Sequence, residues 1–244
     1  MDHDKKKPSN PASPLDDNSV TAVKRCIRCG TCCEKGGPGF HLEDRMLIEK
    51  GRIPSRYLYT IRRGEYAYDN VKGCLIPVDS DIIKIKGKEG SWSCVFFNEQ
   101  SKACGIYNDR PMECRVLKCW DTGELEKLYA RRRLTRDDLI SEVEGLWDLI
   151  KDHQVRCDYA KINKLISDLD GPRTSQARKK LQEMIKYDTE LRKLVLEQGG
   201  LDAAMLDFLF GRPLTQTLPG YGIKIKQENN KMVIVRSQNR KPMP

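Results

Sequence analysis

Long apolar runs are missing from this chain. No stretch approaches about 18 consecutive apolar residues, so no helix is expected to span a membrane. The first twenty residues, MDHDKKKPSNPASPLDDNSV, are polar and hold no apolar block of the secretory kind, and the expected compartment is the cytoplasm. Histidine is scarce: His3, His41 and His153 are the full set, which excludes a histidine-rich metal site. Aromatic residues make up only 7% of the chain and do not interleave with its basic residues, which weakens a nucleic-acid reading. A glycine-rich cofactor fingerprint and a solenoid repeat are also missing.

Cysteine and charge are what the chain has in plenty. There are ten cysteines in 244 residues. In a secreted protein they would read as disulfides; in a reducing compartment they read as thiolates for metal or redox chemistry. Charged residues reach 32% against 39% hydrophobic, and a chain of this length buries a core without needing cross-links. The 44 basic and 35 acidic residues leave a formal charge of +9. Eight thiolates on two dications subtract four charges and leave about +5, so part of the basicity balances such a site.

The pattern along the chain divides it into four stretches and predicts an α+β fold. Residues 1–20 lack apolar surface to bury and are expected to be a disordered tail. Residues 21–121 hold nine of the ten cysteines among short, interrupted elements. Within them, 41–50 reads as a helix stopped at Gly51, and 57–61, 74–78 and 81–86 read as strands. The stretches 93–97 and 104–107 read as a hairpin, and Arg110-Pro111 opens a short helix. Residues 122–212 are helical. Thr135 with Asp138 resembles a capping box, followed at helical spacing by Leu139, Val143, Leu146, Trp147 and Ile150. Further stripes predict helices over 159–169, 174–197 and 202–210. Residues 213–244 form a basic β-hairpin and tail, with strands on either side of Gln227-Glu-Asn-Asn.

The chemistry lies in two groups of four cysteines. The first is Cys26-Ile-Arg-Cys29-Gly-Thr-Cys32-Cys33; the second is Cys94, Cys104, Cys114 and Cys119. Two residues between cysteines let the chain turn so that both sulfurs reach one ion, and Gly30 relieves the backbone there. Adjacent Cys32 and Cys33 are expected to diverge and to serve two sites or two corners of a cluster. An all-sulfur set suits zinc or an iron–sulfur cluster equally. Trp92, Phe96, Phe97, Tyr107 and Trp120 lie near these ligands in sequence, as a water shield or as ordinary core. Cys74 stands between the groups. Cys157 reads as a small buried hydrophobe, with His153 on the same helix face. Glu43, Asp44, Tyr107 and Asp109 are the polar groups from which a catalytic acid or base would come, and Arg110 and Arg115 flank Cys114 as candidates to neutralise thiolates. Arg131-Arg132-Arg133 and the hairpin are the only motives for nucleic-acid binding.

CxxCGxCC followed by C-x-I-Y-x-x-R-P-x-x-C-R and a closing cysteine resembles the YkgJ-type cysteine-cluster family, described as zinc- or iron-chelating. The residues carrying the resemblance are the eight cysteines, Ile106 to Pro111 and Arg115; the family's usual Phe-Pro-Cys ending is replaced by Leu117-Lys118-Cys119. The resemblance implies a metal-binding protein whose site is structural or redox, acting with a protein partner or protein substrate. One branch is similar to flagellin lysine methylases, which use S-adenosylmethionine, and implies protein lysine methylation as an alternative.

Overall fold

The structure is a computed structural model that describes residues 26–129, 131–228 and 231–236. The expected N-terminal tail and the final eight residues lie outside the described residues. The elements in order are α1 (Thr31–Glu34), α2 (Arg45–Glu49), β1 (Leu58–Ile61), β2 (Tyr66–Asp69), β3 (Cys74–Pro77), β4 (Ile82–Ile85), β5 (Phe97–Asn98), β6 (Ala103–Cys104), α3 (Met112–Val116), α4 (Gly123–Tyr129), α5 (Arg136–Ile140), α6 (Leu146–Arg156), α7 (Tyr159–Asp168), α8 (Thr174–Gly199), α9 (Leu206–Phe210), α10 (Leu214–Thr217), β7 (Ile223–Glu228) and β8 (Lys231–Arg236). The strands pair antiparallel in twos: β1 with β4, β2 with β3, β5 with β6 and β7 with β8. Mixed helices and small antiparallel sheets make the fold α+β.

Two apolar cores organise these pieces. The first takes Phe40, Leu58, Ile83, Ile85 and Phe97 from the cysteine-rich half and packs them on Leu134, Ile150, Leu191, Phe208 and Phe210. It therefore draws residues from both sides of position 121. The second gathers Tyr159, Ile162, Ile166, Leu181, Ile185, Leu214 and Leu218 with Ile223 and Ile234 of the hairpin. Helix α8 serves both cores. Its Ala177, Leu181 and Ile185 enter the second, and its Leu191 and Val195 enter the first. At 1.5 Å per residue its 26 residues run about 39 Å, enough to bridge the two.

A polar seam joins the cores. Asp188 and Arg192 of α8 are buried, as are Arg62, Glu65 and His153. Arg62 donates to the Cys157 carbonyl (3.1 Å) and stacks over the Tyr159 ring. Gly211 lies flat against it: a Cβ there would stand 2.7 Å from Arg62 Cγ.

Several expectations change in detail. The capping box at Thr135 forms, with Thr135 Oγ1 accepting from the Asp138 amide, but it starts only the five residues of α5. Gly145 at φ +76° then restarts the chain as α6, and Val143 is left 49% exposed instead of in a stripe. The hairpin expected over 93–107 shrinks to β5 and β6. Its ladder is diverted because the Cys94 amide donates to the Cys33 carbonyl (2.8 Å) and Cys94 bridges Gly87. Residues 107–109 form a tight turn, Tyr107–Asp109, in place of a strand end.

Candidate metal centre

The cysteine loop is held on the β5–β6 hairpin by a glycine. Gly30 has φ +87°, and the Phe97 ring occupies the space its Cβ would take, 2.3 Å from Cζ. That contact lays α1, with Cys32 and Cys33, against the hairpin. Phe97 pairs with Cys104 across it. The fourth segment is α3. Buried Asp44 fixes its start by accepting from the Met112 amide (2.9 Å), and Arg115 lies 3.4 Å from the same oxygen. Pro111 caps the helix, and Cys114 sits one turn in.

The structure thus brings Cys33, Cys94, Cys104 and Cys114 together, one from each of four segments. Cys114 has the other three as charge neighbours, and Cys33 has Cys94 and Cys104. Burial pushes the Cys33 thiol up to about 12, helped by Cys32, Cys94 and Cys104. Burial likewise raises Cys114, with Cys94, Cys33 and Cys104 adding to it. Cys94 rises for the same first reason, with Cys104 as its thiol neighbour. Cys32 is exposed while its neighbour Cys33 is partly covered, and Cys32 still acts on the Cys33 thiol. The sequence grouping is crossed: Cys33 joins three members of the second set. Cys26, Cys29 and Cys119 are exposed. The Cys26 sulfur accepts from the Arg28 amide (3.4 Å), and the Cys29 thiol donates to Thr31 Oγ1 (3.4 Å). Cys74 is exposed on the β2–β3 hairpin opposite Asp69. Cys157 is fully buried, its thiol 3.9 Å from the Met184 carbonyl.

This donor set fits a thiophilic ion. Crowding and burial hold the thiols neutral, and a dication is what reverses that preference, because a thiolate is the ligand form. Among the described residues no three His, Cys, Asp or Glu side chains stand ready at metal-bond distances.

Behind Cys114 lies a polar cluster that the sequence did not single out. Glu113 accepts from the Gly39 amide (2.6 Å) and from Arg133 Nη1 (2.6 Å), with His41 Nε2 at 3.4 Å. His41 is buried, and its Nδ1 donates to the Arg131 carbonyl (2.6 Å), so both ring nitrogens face protein groups. Burial pushes the Glu113 carboxyl up, but the His41 hydrogen bond and the Lys84 and Arg133 charges outweigh it and hold it at about 2. Burial lowers Lys84, while Glu113 and Cys114 act to raise it.

The other polar candidates are engaged elsewhere. Arg115 pairs with Asp44, and Arg110 stacks on Tyr107 at 3.7 Å, so neither is drawn to a thiolate as expected. Glu43 pairs with Arg132. Arg133 is engaged by Glu113, while Arg131 and Arg132 are exposed. Of the aromatics expected near the ligands, Phe97 is buried and Phe96 packs on Tyr57. Trp92, Tyr107 and Trp120 point outward instead, at 63%, 40% and 39% exposure.

Residues 25–133 match a family model described as "CxxCxxCC: Putative zinc- or iron-chelating domain". That stretch, a little under half of the chain, is similar to this family and contains all the thiols gathered here. No curated protein and no solved structure matches the chain. None of the described helices is long and apolar enough to cross a membrane.

Proposed function

We propose that this protein binds a zinc or iron centre through Cys33, Cys94, Cys104 and Cys114, and presents it to a protein partner. The convergence of four thiols from four separate segments carries this reading. Bound there, zinc would cross-link the segments as a closed sulfur site, and iron would supply a redox centre. Cys26, Cys29 and Cys32 precede Cys33 and Cys119 follows Cys114 in the chain, all four exposed, and they would extend the donor set to a second ion or to further corners of a cluster.

A partner is supported by the rim of the site. Ile27, Trp92, Tyr107 and Trp120 each stand within three residues of a cysteine in sequence, and their exposures run from 66% down to 39%. Large exposed apolar groups around a polar centre are typical of a contact surface. Arg28 and Arg110 both lie over the Tyr107 ring, which stiffens that part of the rim.

The test is metal and acid-labile sulfide content, with a visible spectrum, on full-length protein purified without oxygen. Bound zinc without colour, or bound iron with a sulfur-to-metal band, supports the reading, provided Cys94→Ser and Cys114→Ser both lose the metal. Protein that takes up neither metal on reconstitution overturns it.

A further inference from the structure

Strand β4 alternates sharply. Ile83 and Ile85 are buried in the first core, and Lys84 between them leaves by the opposite face. There it stands opposite Tyr59 on one side and bridges Gly39 on the other. Gly39 is the floor of the Glu113 cluster: a Cβ on it would meet Arg133 Nη1 at 2.5 Å and Glu113 Oε1 at 3.0 Å. Only glycine lets the Arg133–Glu113 pair lie flat on the strand beside Lys84.

The charges in this corner do not balance. Glu113 is matched by Arg133 at 2.6 Å. Among the described residues Lys84 forms no ion pair and no side-chain hydrogen bond, although Glu113 and Cys114 lie close enough to act on it. An ammonium largely covered by protein and left unpaired is costly, and folds keep one where negative charge arrives to meet it. Four thiolates on one dication carry a net double negative charge, and Cys114 is the member of that set nearest this corner.

We propose that Lys84 is a positioning residue that compensates the charge of the metal–thiolate centre through Cys114. It does not bind the ion. It lowers the cost of keeping several thiolates in a covered site, while Arg133, paired with Glu113 at 2.6 Å, shares that carboxylate with it. The inference rests on the reading that Cys114 is a metal ligand.

The proposal gives opposite signs for the free and the loaded protein, which a packing role does not. Lys84→Met removes an unpaired charge from the metal-free fold and keeps the length of the stem. It removes the compensation from the loaded one. The experiment compares wild type, Lys84→Met and Lys84→Arg by thermal unfolding of the metal-free chain. It then measures affinity for zinc(II), and for cobalt(II) as a coloured probe, by chelator competition. Lys84→Met is expected to melt at or above the wild-type temperature when metal-free, yet to bind either ion about tenfold or more weakly, the range seen when groups supporting metal ligands are removed. Lys84→Arg keeps the charge and is expected to hold affinity within a few-fold of wild type. Wild-type affinity in Lys84→Met, or a fall in metal-free stability that parallels the loss of affinity in both variants, overturns the proposal alone. Wild-type protein that binds neither ion overturns the metal reading and the proposal with it.

Discussion

Removing the Asp188 carboxylate should unfold the seam between the two cores. Asp188 is 1% exposed and accepts three hydrogen bonds: His153 Nε2 at 2.8 Å, Arg192 Nε at 2.9 Å and the Leu214 amide at 2.9 Å. Asp188→Ala leaves buried Arg192 with only the longer Asp207 contact (3.9 Å) as counter-charge and the Leu214 amide without a partner. Breaking a buried pair from one side costs about 3–5 kcal/mol, and an orphaned buried amide about 1–3 kcal/mol. These overlap, since water entering the vacated space serves both groups, and Arg192 Nη2 keeps the Gly211 carbonyl at 2.8 Å. The expected loss is therefore about 3–5 kcal/mol in all, a large share of the roughly 5–15 kcal/mol available to a domain. Asp188→Asn keeps the shape and one acceptor and should cost about half as much. Urea unfolding followed by far-ultraviolet circular dichroism reads both, with the m-value unchanged. The same site sets a pH dependence. Burial lowers His153 to about 4 against the Asp188 hydrogen bond that raises it, so the folded protein holds the ring neutral. An unfolded chain takes up that proton near pH 6.5, before the folded one does. The contribution is then complete above about pH 6.5, is lost as pH falls toward 4, and changes no further below, up to about 3 kcal/mol in total. A loss under about 1 kcal/mol in Asp188→Ala, or equal pH profiles for wild type and His153→Leu, would refute this account.

Chelating the metal should lower the melting temperature and returning it should restore it. At a thousandfold excess over Kd the linkage is about 4 kcal/mol, or roughly 10 °C for a chain of this size, read by calorimetry. Cys114→Ser and Cys29→Ser should lower metal content far more than Cys157→Ser, which should cost stability instead because Cys157 is fully buried in the second core; equal metal losses at all three would sink the ligand assignment. Gly37→Ala places a Cβ 2.3 Å from the Ile85 carbonyl oxygen, a backbone atom that cannot swing away, and should cost about 1–3 kcal/mol or more in a urea melt. Gly51→Ala, whose Cβ meets nothing, should cost about 1 kcal/mol for its φ of +65° alone.

Periodicity made the larger elements legible. The strands at 58–61 and 82–85, the helices α7 and α8 and the C-terminal hairpin follow from alternation and helical stripes that persist over enough residues to decide. Elements α1, β2 and α10 were missed because four residues carry too little pattern. The cysteines were legible as candidate ligands but not as a grouping. Sequence placed Cys33 with Cys26, Cys29 and Cys32, whereas the fold sets it among Cys94, Cys104 and Cys114. That choice depends on the Phe97 ring filling the space above Gly30 and on one backbone hydrogen bond 61 residues apart in sequence, Cys94 to Cys33. Lys84 reads in sequence as the wet side of an Ile-Lys alternation. Its covered position appears only once Gly39, Glu113 and Arg133 are laid over it. His153 shares burial with Cys157 as its spacing suggests, yet its partner is Asp188, 35 residues on.

The segment that matches the cysteine-cluster family is not expected to stand alone. Residues 25–133 contribute Phe40, Leu58, Ile83 and Phe97 to the first core, but Leu134, Ile140, Ile150, Leu206 and Phe208 to Phe210 come from beyond it. Polar contacts cross the same boundary, among them three at buried side chains. Thr60 Oγ1 donates to the Phe208 carbonyl (2.7 Å), Arg62 to the Cys157 carbonyl (3.1 Å), and buried Glu65 pairs with Arg212. Cutting at 133 would expose the inner face of β1 and β4 and leave Glu65 without its partner. Exposing that much apolar surface forfeits roughly 2 kcal/mol for each large core side chain, more in sum than so small a remnant holds. A chain ending at residue 133 should therefore show no cooperative melt and bind metal more weakly than the full chain, because the sulfur-bearing loops lose the sheet that positions them. A cooperative melt and full-chain affinity in that fragment would show that the helices only decorate the metal domain. The structure supports the other relation, in which β1 and β4 link the cysteine cluster to α9 and couple its order to the helical half of the chain.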